Sequence, residues 1–365
     1  MLGIQVDAKR LFGLDFLRAV AIFIVVHGHG AHFLANSSLS FITPLPHVHG
    51  VDIFLVLSGY LIGKSFLSYA EKNNGVVNAA KTLHFYARSA LRLLPNYLFI
   101  LFVYYFLVRS HVINGRLDAT PIWRFATFTQ NFCTPFVDFF WESWSLAVQW
   151  WFYICFPLLL LLFTRFVRPK TLVPVICVAM IAVSLVYRMG VSKYATDYFW
   201  YDVWIRKTVL SRTDNIYLGV LAAWLKCYFP KQWERYTWHF LVAGVVVFLA
   251  TILLLKQGGT FYRHVIYPTL LPVPIALCLP LATAWKSSKT FFGKVLSHIS
   301  ILSYAMFLTN LMVCQIIDVN FASFVQNHGV LSYLIYWLLV LLLSYMLYIL
   351  LEKPFMKLKA RIADH

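Results

Sequence analysis

Apolar residues run along nearly the whole chain in stretches of about twenty, separated by short polar and basic segments. A stretch of about 20 apolar residues, rising 1.5 Å each as a helix, spans the hydrocarbon core of a bilayer. On that criterion spans are predicted near residues 14–34, 50–69, 95–113, 143–164, 171–190, 208–228, 237–256, 264–286, 298–318 and 331–351. The third and eighth are the weakest patterns, and Pro268, Pro272, Pro274 and Pro280 interrupt the eighth. Within a bundle such prolines kink a helix without excluding it. The expected fold class is therefore an all-α integral membrane protein, a bundle of about ten transmembrane helices. No internal repeat, low-complexity tract or long linker is visible. Residues 1–365 are expected to form a single transmembrane domain, with no appended soluble domain and no cleavable signal peptide.

Composition agrees with the pattern. Of the 365 residues, 61% are hydrophobic and 12% charged, too few charges to cover a soluble globule or to keep a chain disordered. Lys and Arg number 31 against 14 Asp and Glu, a formal charge of +17. With the N-terminus placed in the cytoplasm, 21 of the 31 basic residues fall in inner segments, which supports cytoplasmic placement of both termini. Most of the positive charge then needs only this bias and anionic headgroups, not nucleic acid. A sharper reading, an anionic ligand at the inner face, has to rest on particular arginines. The six cysteines are scattered with no CxxC spacing, so neither a disulfide framework nor a zinc site is indicated. No metal is expected.

Ionisable groups inside spans are costly and are functional candidates for that reason. The first span holds Asp15 and Arg18, then His27-Gly28-His29. Arg18 and His29 are eleven residues apart, which returns them to within about 20° of one face at roughly 16 Å axial separation. The second span begins Gly50-Val51-Asp52 and ends Gly59-Tyr60-Leu61-Ile62-Gly63-Lys64-Ser65. Its tail has three residues between the glycines where a phosphate-binding loop has four, so Gly59 and Gly63 are read as sites of close helix packing. Arg88 and Arg92, at i,i+4, are predicted to share a face of a short inner helix ending at the membrane, where two guanidinium forks suit phosphates or lipid headgroups. Depth arithmetic puts His29, Asp52, Gln149, Arg212, Asp214 and Asn310 in one polar layer in the outer half.

With these pieces in order, the chain resembles acyltransferase family 3, membrane-bound O-acyltransferases that modify bacterial cell-surface glycans. The resemblance rests on the Arg18 to His29 spacing, Gly50 to Ile62, Phe85 to Tyr97, Trp144 to Pro157, Arg212 to Gly219, Ser303 to Asn310 and Leu351 to Phe355. It implies a ten-helix bundle in the bacterial inner membrane that takes an acyl group, usually acetyl, from cytoplasmic acetyl-CoA (acyl-CoA) and passes it to a hydroxyl of an exported glycan. Lipopolysaccharide O-antigen is the first acceptor to consider. His29 matches the catalytic histidine, with Gln149, Asp52 and Asn310 as further catalytic candidates. Arg18, Arg88, Arg92 and Lys64 are the candidate donor-binding set. Arg212, Asp214, Trp144 and Ser145 are the candidates for binding the acceptor. The implied partners are the lipid bilayer and a surface glycan or lipid-linked saccharide.

Two departures stand out. The family carries a glutamate where this chain has Gln149, and often a histidine where it has Asn310. An imidazole base benefits from a carboxylate that fixes its tautomer and stabilises its protonated form. Gln149 offers no charge, so two readings stay open: a Glu-to-Gln form that is inactive, or a chain that recruits Asp52 or Asp214 instead. Buried His, Arg and Asp also suit a transporter or flippase of a small anion or glycolipid, the competing functional class.

Overall fold

The computed structural model describes residues 10–43 and 49–363, with side chains as far as residue 358. Of the basic residues assigned to the inner face, Lys9 and the side chains of Lys359 and Arg361 lie outside that set. The regular structure of the described residues is all helical, with no strand among them.

Ten long elements follow the apolar stretches: α1 Phe12–Gly30, α2 Gly50–Lys72, α3 Ala79–Arg109, α4 Ser143–Phe163 and α5 Pro169–Val191 come first. They continue as α6 Val209–Tyr228, α7 Thr237–Gln257, α8 Tyr262–Ala284, α9 Phe291–Asn320 and α10 Gly329–Leu347. A π-turn at Tyr348–Glu352 leads into a final basic helix, α11 Lys353–Ala363. Among the described residues nine helices are long and apolar enough to cross a membrane. The predicted span not among these nine is the sixth, α6, which forms where expected but carries Arg212, Asp214 and Lys226. It keeps those charges because it packs against α2, α4 and α5, so its polar end is buried in protein rather than lipid. The chain is thus an all-α, multi-pass membrane protein.

The third span differs from its prediction. Instead of a short inner helix followed by a span from about residue 95, α3 runs unbroken from Ala79 to Arg109, through Pro95. In the same turn Tyr304 of α9 donates to the carbonyl of Leu93 at 2.7 Å. The eighth span does break: α8 comprises a π-turn at Tyr262–Ile266, one turn at Tyr267–Leu270 and a helix from Val273.

Gly59 and Gly63 of α2 face α6, as their spacing suggests. A Cβ on Gly59 would run into the carbonyl oxygen of Ile216, and one on Gly219 into that of Val56. Two helices can approach this closely only where both lack side chains at the crossing. The crossing holds α6 against α2 and sets the depth of the polar residues described next.

Candidate active site

Three cavities lie in a row through the bundle and share walls. The first is basic: Arg10, Arg18, Lys64 and Arg92 surround it, with Asp15 and Glu352 as its carboxylates. Arg18, Leu61, Arg92, Ser303 and Tyr304 also line the second. This middle cavity is mainly apolar, walled by Phe54, Leu57 and Leu146, with Ser58, Ser145, Gln149 and Tyr153 as polar points. Val51 and Phe307 separate it from a third cavity, which His29 lines together with Glu142, Trp141, Trp144, Asp202, Arg206 and Lys207. Arg18 and His29 of one α1 face thus sit in the first and last cavities of the row.

Asp15 organises the basic end. It accepts from Arg10 Nε at 2.9 Å, from Arg18 at 3.2 Å and from Ser300 at 3.0 Å, and it is buried. One carboxylate therefore holds two guanidinium groups in place without cancelling the positive balance of Arg18, Arg92 and Lys64. Arg88 lines none of these cavities, so α3 delivers Arg92 but not its i,i+4 neighbour.

At the other end, Nδ1 of His29 lies 2.5 Å from Oδ1 of Asn310. The orientation of Asn310 is set by its own amide, whose Nδ2 donates to the carbonyls of Met306 at 2.9 Å and Phe307 at 2.7 Å. Carbonyl oxygens only accept, so the amide nitrogen is committed to them and Oδ1 faces the imidazole as an acceptor. The hydrogen between them then belongs to His29 Nδ1. In the neutral ring this leaves Nε2 as the bare nitrogen, the form required of a proton acceptor. Asn310 thereby supplies the tautomer-fixing contact, without the negative charge that a carboxylate would add.

The remaining sequence candidates lie elsewhere. Gln149 sits in the middle cavity, where its Nε2 donates to Ser58 Oγ and Tyr153 Oη, each at 2.7 Å. Asp52 accepts from Arg212 and, at 2.8 Å, from Asn215. Asp214 pairs with Arg188 at 2.8 Å and accepts from Thr269 at 2.7 Å. Neither aspartate is the partner of His29; both belong to a buried polar network joining α2, α5, α6 and α8. That corrects the expectation of a recruited aspartate, because a buried carboxylate is held by its own guanidinium. Arg212, spent on Asp52, lies on the wall of a further cavity with Arg263, one that shares His49, Tyr198 and Arg206 with the histidine cavity. Trp144 does line the histidine cavity, and Ser145 lines the middle one. The proposed polar layer is therefore several separate clusters.

Sequence reading missed Glu142. It immediately precedes α4, is buried, and accepts from Tyr104 Oη at 2.7 Å. Its Oε2 has no hydrogen-bond partner among the described residues. Burial pushes the carboxyl up to about 8, with the Tyr104 bond and Lys207 opposing the shift. Asp202 holds Lys207 at 2.5 Å and Arg206 at 2.8 Å, and the Lys207 ammonium lies 4.4 Å from the ring centroid of Trp141. A buried acid, a basic pair and two indoles thus surround the mouth of the histidine site. The signal available beforehand was weak: Glu142 precedes the apolar run by one residue and looks like an interfacial charge.

Comparison with known proteins agrees with this architecture. The chain is 32% identical over 181 residues to a protein named peptidoglycan O-acetyltransferase OatA from Listeria monocytogenes, a match covering 46% of this chain and 27% of the relative. It is 24% identical over 232 residues to O-acetyltransferase OatA of Staphylococcus aureus (strain NCTC 8325), covering 60% of this chain and 35% of the relative. The chain thus spans about a third or less of the length of these relatives. No solved structure matches it. A family model described as an acyltransferase domain matches residues 11–349, nearly the entire bundle, and the chain accordingly belongs to acyltransferase family 3.

Proposed function

We propose that this protein is a bacterial inner-membrane O-acetyltransferase that takes an acyl group from cytoplasmic acetyl-CoA and delivers it to a hydroxyl of an exported cell-surface glycan. The observation that carries the reading is the row of cavities from the Arg18–Arg92–Lys64 cluster to His29. Phosphates of the donor meet guanidinium and ammonium groups at the basic end, where charge-assisted bonds are strong. The narrow pantetheine arm follows the apolar middle cavity past Ser58 and Gln149, bringing its thioester toward Phe307 and His29. Both termini, and with them the basic end, face the cytoplasm.

At the far end, His29 Nε2 takes the proton of the acceptor hydroxyl while that oxygen attacks the thioester carbonyl. The new C–O bond forms, the C–S bond breaks, and the imidazolium returns the proton to the departing thiolate. Asn310 keeps Nδ1 protonated throughout. Trp141 and Trp144 offer flat apolar faces to a sugar ring, and Glu142 a hydrogen-bonding group. The acceptor implied by the family resemblance is lipopolysaccharide O-antigen. Peptidoglycan, named for the Listeria relative, is the acceptor to test beside it.

Gln149 contacts Ser58 and Tyr153 rather than His29, which favours a chain that is active as it stands. The experiment is transfer of radiolabelled acetyl from acetyl-CoA by purified protein in liposomes, with O-antigen or peptidoglycan fragments enclosed. Label should reach an enclosed glycan, and His29→Ala should abolish transfer while leaving acetyl-CoA binding intact. Gln149→Glu run in parallel guards against a silent glutamine form. Transfer by neither protein, with acetyl-CoA bound by neither, would overturn the reading in favour of transport.

A further inference from the structure

His32, Cys314 and Asp318 converge at the His29 end of the bundle, outside the three cavities. Cys314 and Asp318 are i,i+4 on α9 and share a face, while His32 lies in the 3-10 turn after α1. His32 Nε2 lies 2.8 Å from Asp318 Oδ1, and Cys314 Sγ lies 3.6 Å from Oδ2. One ligand atom from each residue falls within 4.8 Å of the other two. Cys314 is buried, with 3% exposure, whereas His32 and Asp318 are open to solvent.

The hydrogen-bond pattern asks for a cation here. His32 Nδ1 lies 2.9 Å from the backbone carbonyl of His29, which can only accept, so Nδ1 carries its hydrogen. In the neutral ring Nε2 is then a lone pair facing a carboxylate oxygen. Two acceptors at hydrogen-bond distance require a positive centre between them, either a second proton or a metal ion. Around tetrahedral zinc at its usual bond lengths, a nitrogen–oxygen pair stands roughly 3.3 Å apart and a sulfur–oxygen pair roughly 3.5 Å. His32 Nε2 stands about half an ångström closer than that to Oδ1, and Cys314 Sγ stands at about that separation from Oδ2, the other oxygen of the same carboxylate. A histidine fixed through Nδ1–H to a backbone carbonyl is also the usual setting of a metal-ligating imidazole.

We propose that His32 Nε2, Cys314 Sγ and Asp318 bind a divalent cation of the zinc class, leaving a fourth position for water. Binding displaces the thiol proton of Cys314 to solvent. The thiolate and the Asp318 carboxylate then balance the two charges of the ion, and the neutral imidazole completes the set. The thiol of Cys314 donates to the His29 carbonyl at 3.3 Å, so occupancy exchanges that bond for a sulfur–metal bond one peptide from the imidazole. The site does not depend on the acetyl-transfer reading.

Cobalt is the probe, because Co2+ takes zinc sites and reports thiolate ligation by a near-ultraviolet charge-transfer band. Full-length protein in detergent, stripped with chelator, is titrated with Co2+. The expected result is one equivalent bound, with the charge-transfer band and intense visible bands of four-coordinate cobalt, both bleached by Zn2+. Cys314→Ser should lose the near-ultraviolet band. His32→Gln, at an exposed position, should keep the thermal transition and weaken Co2+ binding by about tenfold or more. Absence of the band in the unsubstituted protein, its persistence in Cys314→Ser, or unchanged affinity in His32→Gln would each overturn the proposal. The first of these outcomes would mean that a proton alone bridges His32 and Asp318.

Discussion

Replacing Asn310 by leucine keeps the side-chain volume but removes the oxygen that His29 Nδ1–H meets at 2.5 Å. Asn310 itself is 0% exposed, so water has no route to take its place on that side of the ring. Leaving a buried polar hydrogen without its partner costs about 1–3 kcal/mol. The ring recovers that energy by turning, or by moving its hydrogen to Nε2, and either change withdraws the base from the acceptor. At 1.36 kcal/mol per tenfold in rate, kcat should fall roughly 5- to 150-fold. The KM for acetyl-CoA should hold, because Asn310 lines neither the basic nor the middle cavity. The assay is initial-rate transfer of labelled acetyl at saturating donor across a pH series, on protein matched for monodispersity. Asn310→Asp is the companion: it keeps an acceptor at Nδ1 and adds a negative charge that favours imidazolium. It should retain activity with its acid limb moved to higher pH. Activity of Asn310→Leu within about twofold of the unsubstituted protein, with the same pH profile, would refute the tautomer argument.

Arg92→Ala should raise the KM for acetyl-CoA roughly 10-fold or more through loss of a charge-assisted contact, whereas Arg88→Ala, off the cavity wall, should stay within about twofold; saturation kinetics decide, and the reverse order would sink the cavity assignment. Glu142 gives a pH signature: its carboxyl is held near 8 in the fold against an ordinary value of 4.5, so between these the native state binds more protons than the unfolded one. Its contribution to stability is therefore complete below about pH 4.5 and fades as pH rises through 8. Thermal unfolding in detergent should show the difference between pH 5 and pH 8 shrink in Glu142→Gln. Gly59→Val should lose folded protein in size-exclusion profiles, since its Cβ would meet the Ile216 backbone and no side chain there can move aside.

The sequence alone determined the class of the protein and the order of its long helices, because a bilayer demands about 20 apolar residues per crossing. It also determined the α1 stripe carrying Arg18 and His29, since both lie on one helix whose period is known. Gly59 and Gly63 were legible for the same reason. Their role needs only a close neighbour, whichever helix that turns out to be. The apolar pattern starts the third span near residue 95 and sets the Arg88–Arg92 segment apart, whereas the structure joins them in one helix, α3.

What only the tertiary structure decided is which polar groups meet. Depth arithmetic placed Asp52, Gln149, Asp214 and Asn310 at a similar level as His29, but depth leaves rotation about each helix axis and helix order undetermined. Packing of α1 on α9 brings Asn310 to the imidazole, whereas packing of α2 on α6 consumes Asp52 with Arg212. The same geometry splits Arg88 from Arg92, admits Glu142 to the histidine cavity, and joins His32 to Cys314 and Asp318 across 282 residues of chain or more. Hydrophobicity is a property of a segment and can be read one segment at a time. A hydrogen bond or a ligand set belongs to a pair or a triad, so it exists only once the helices have been set side by side.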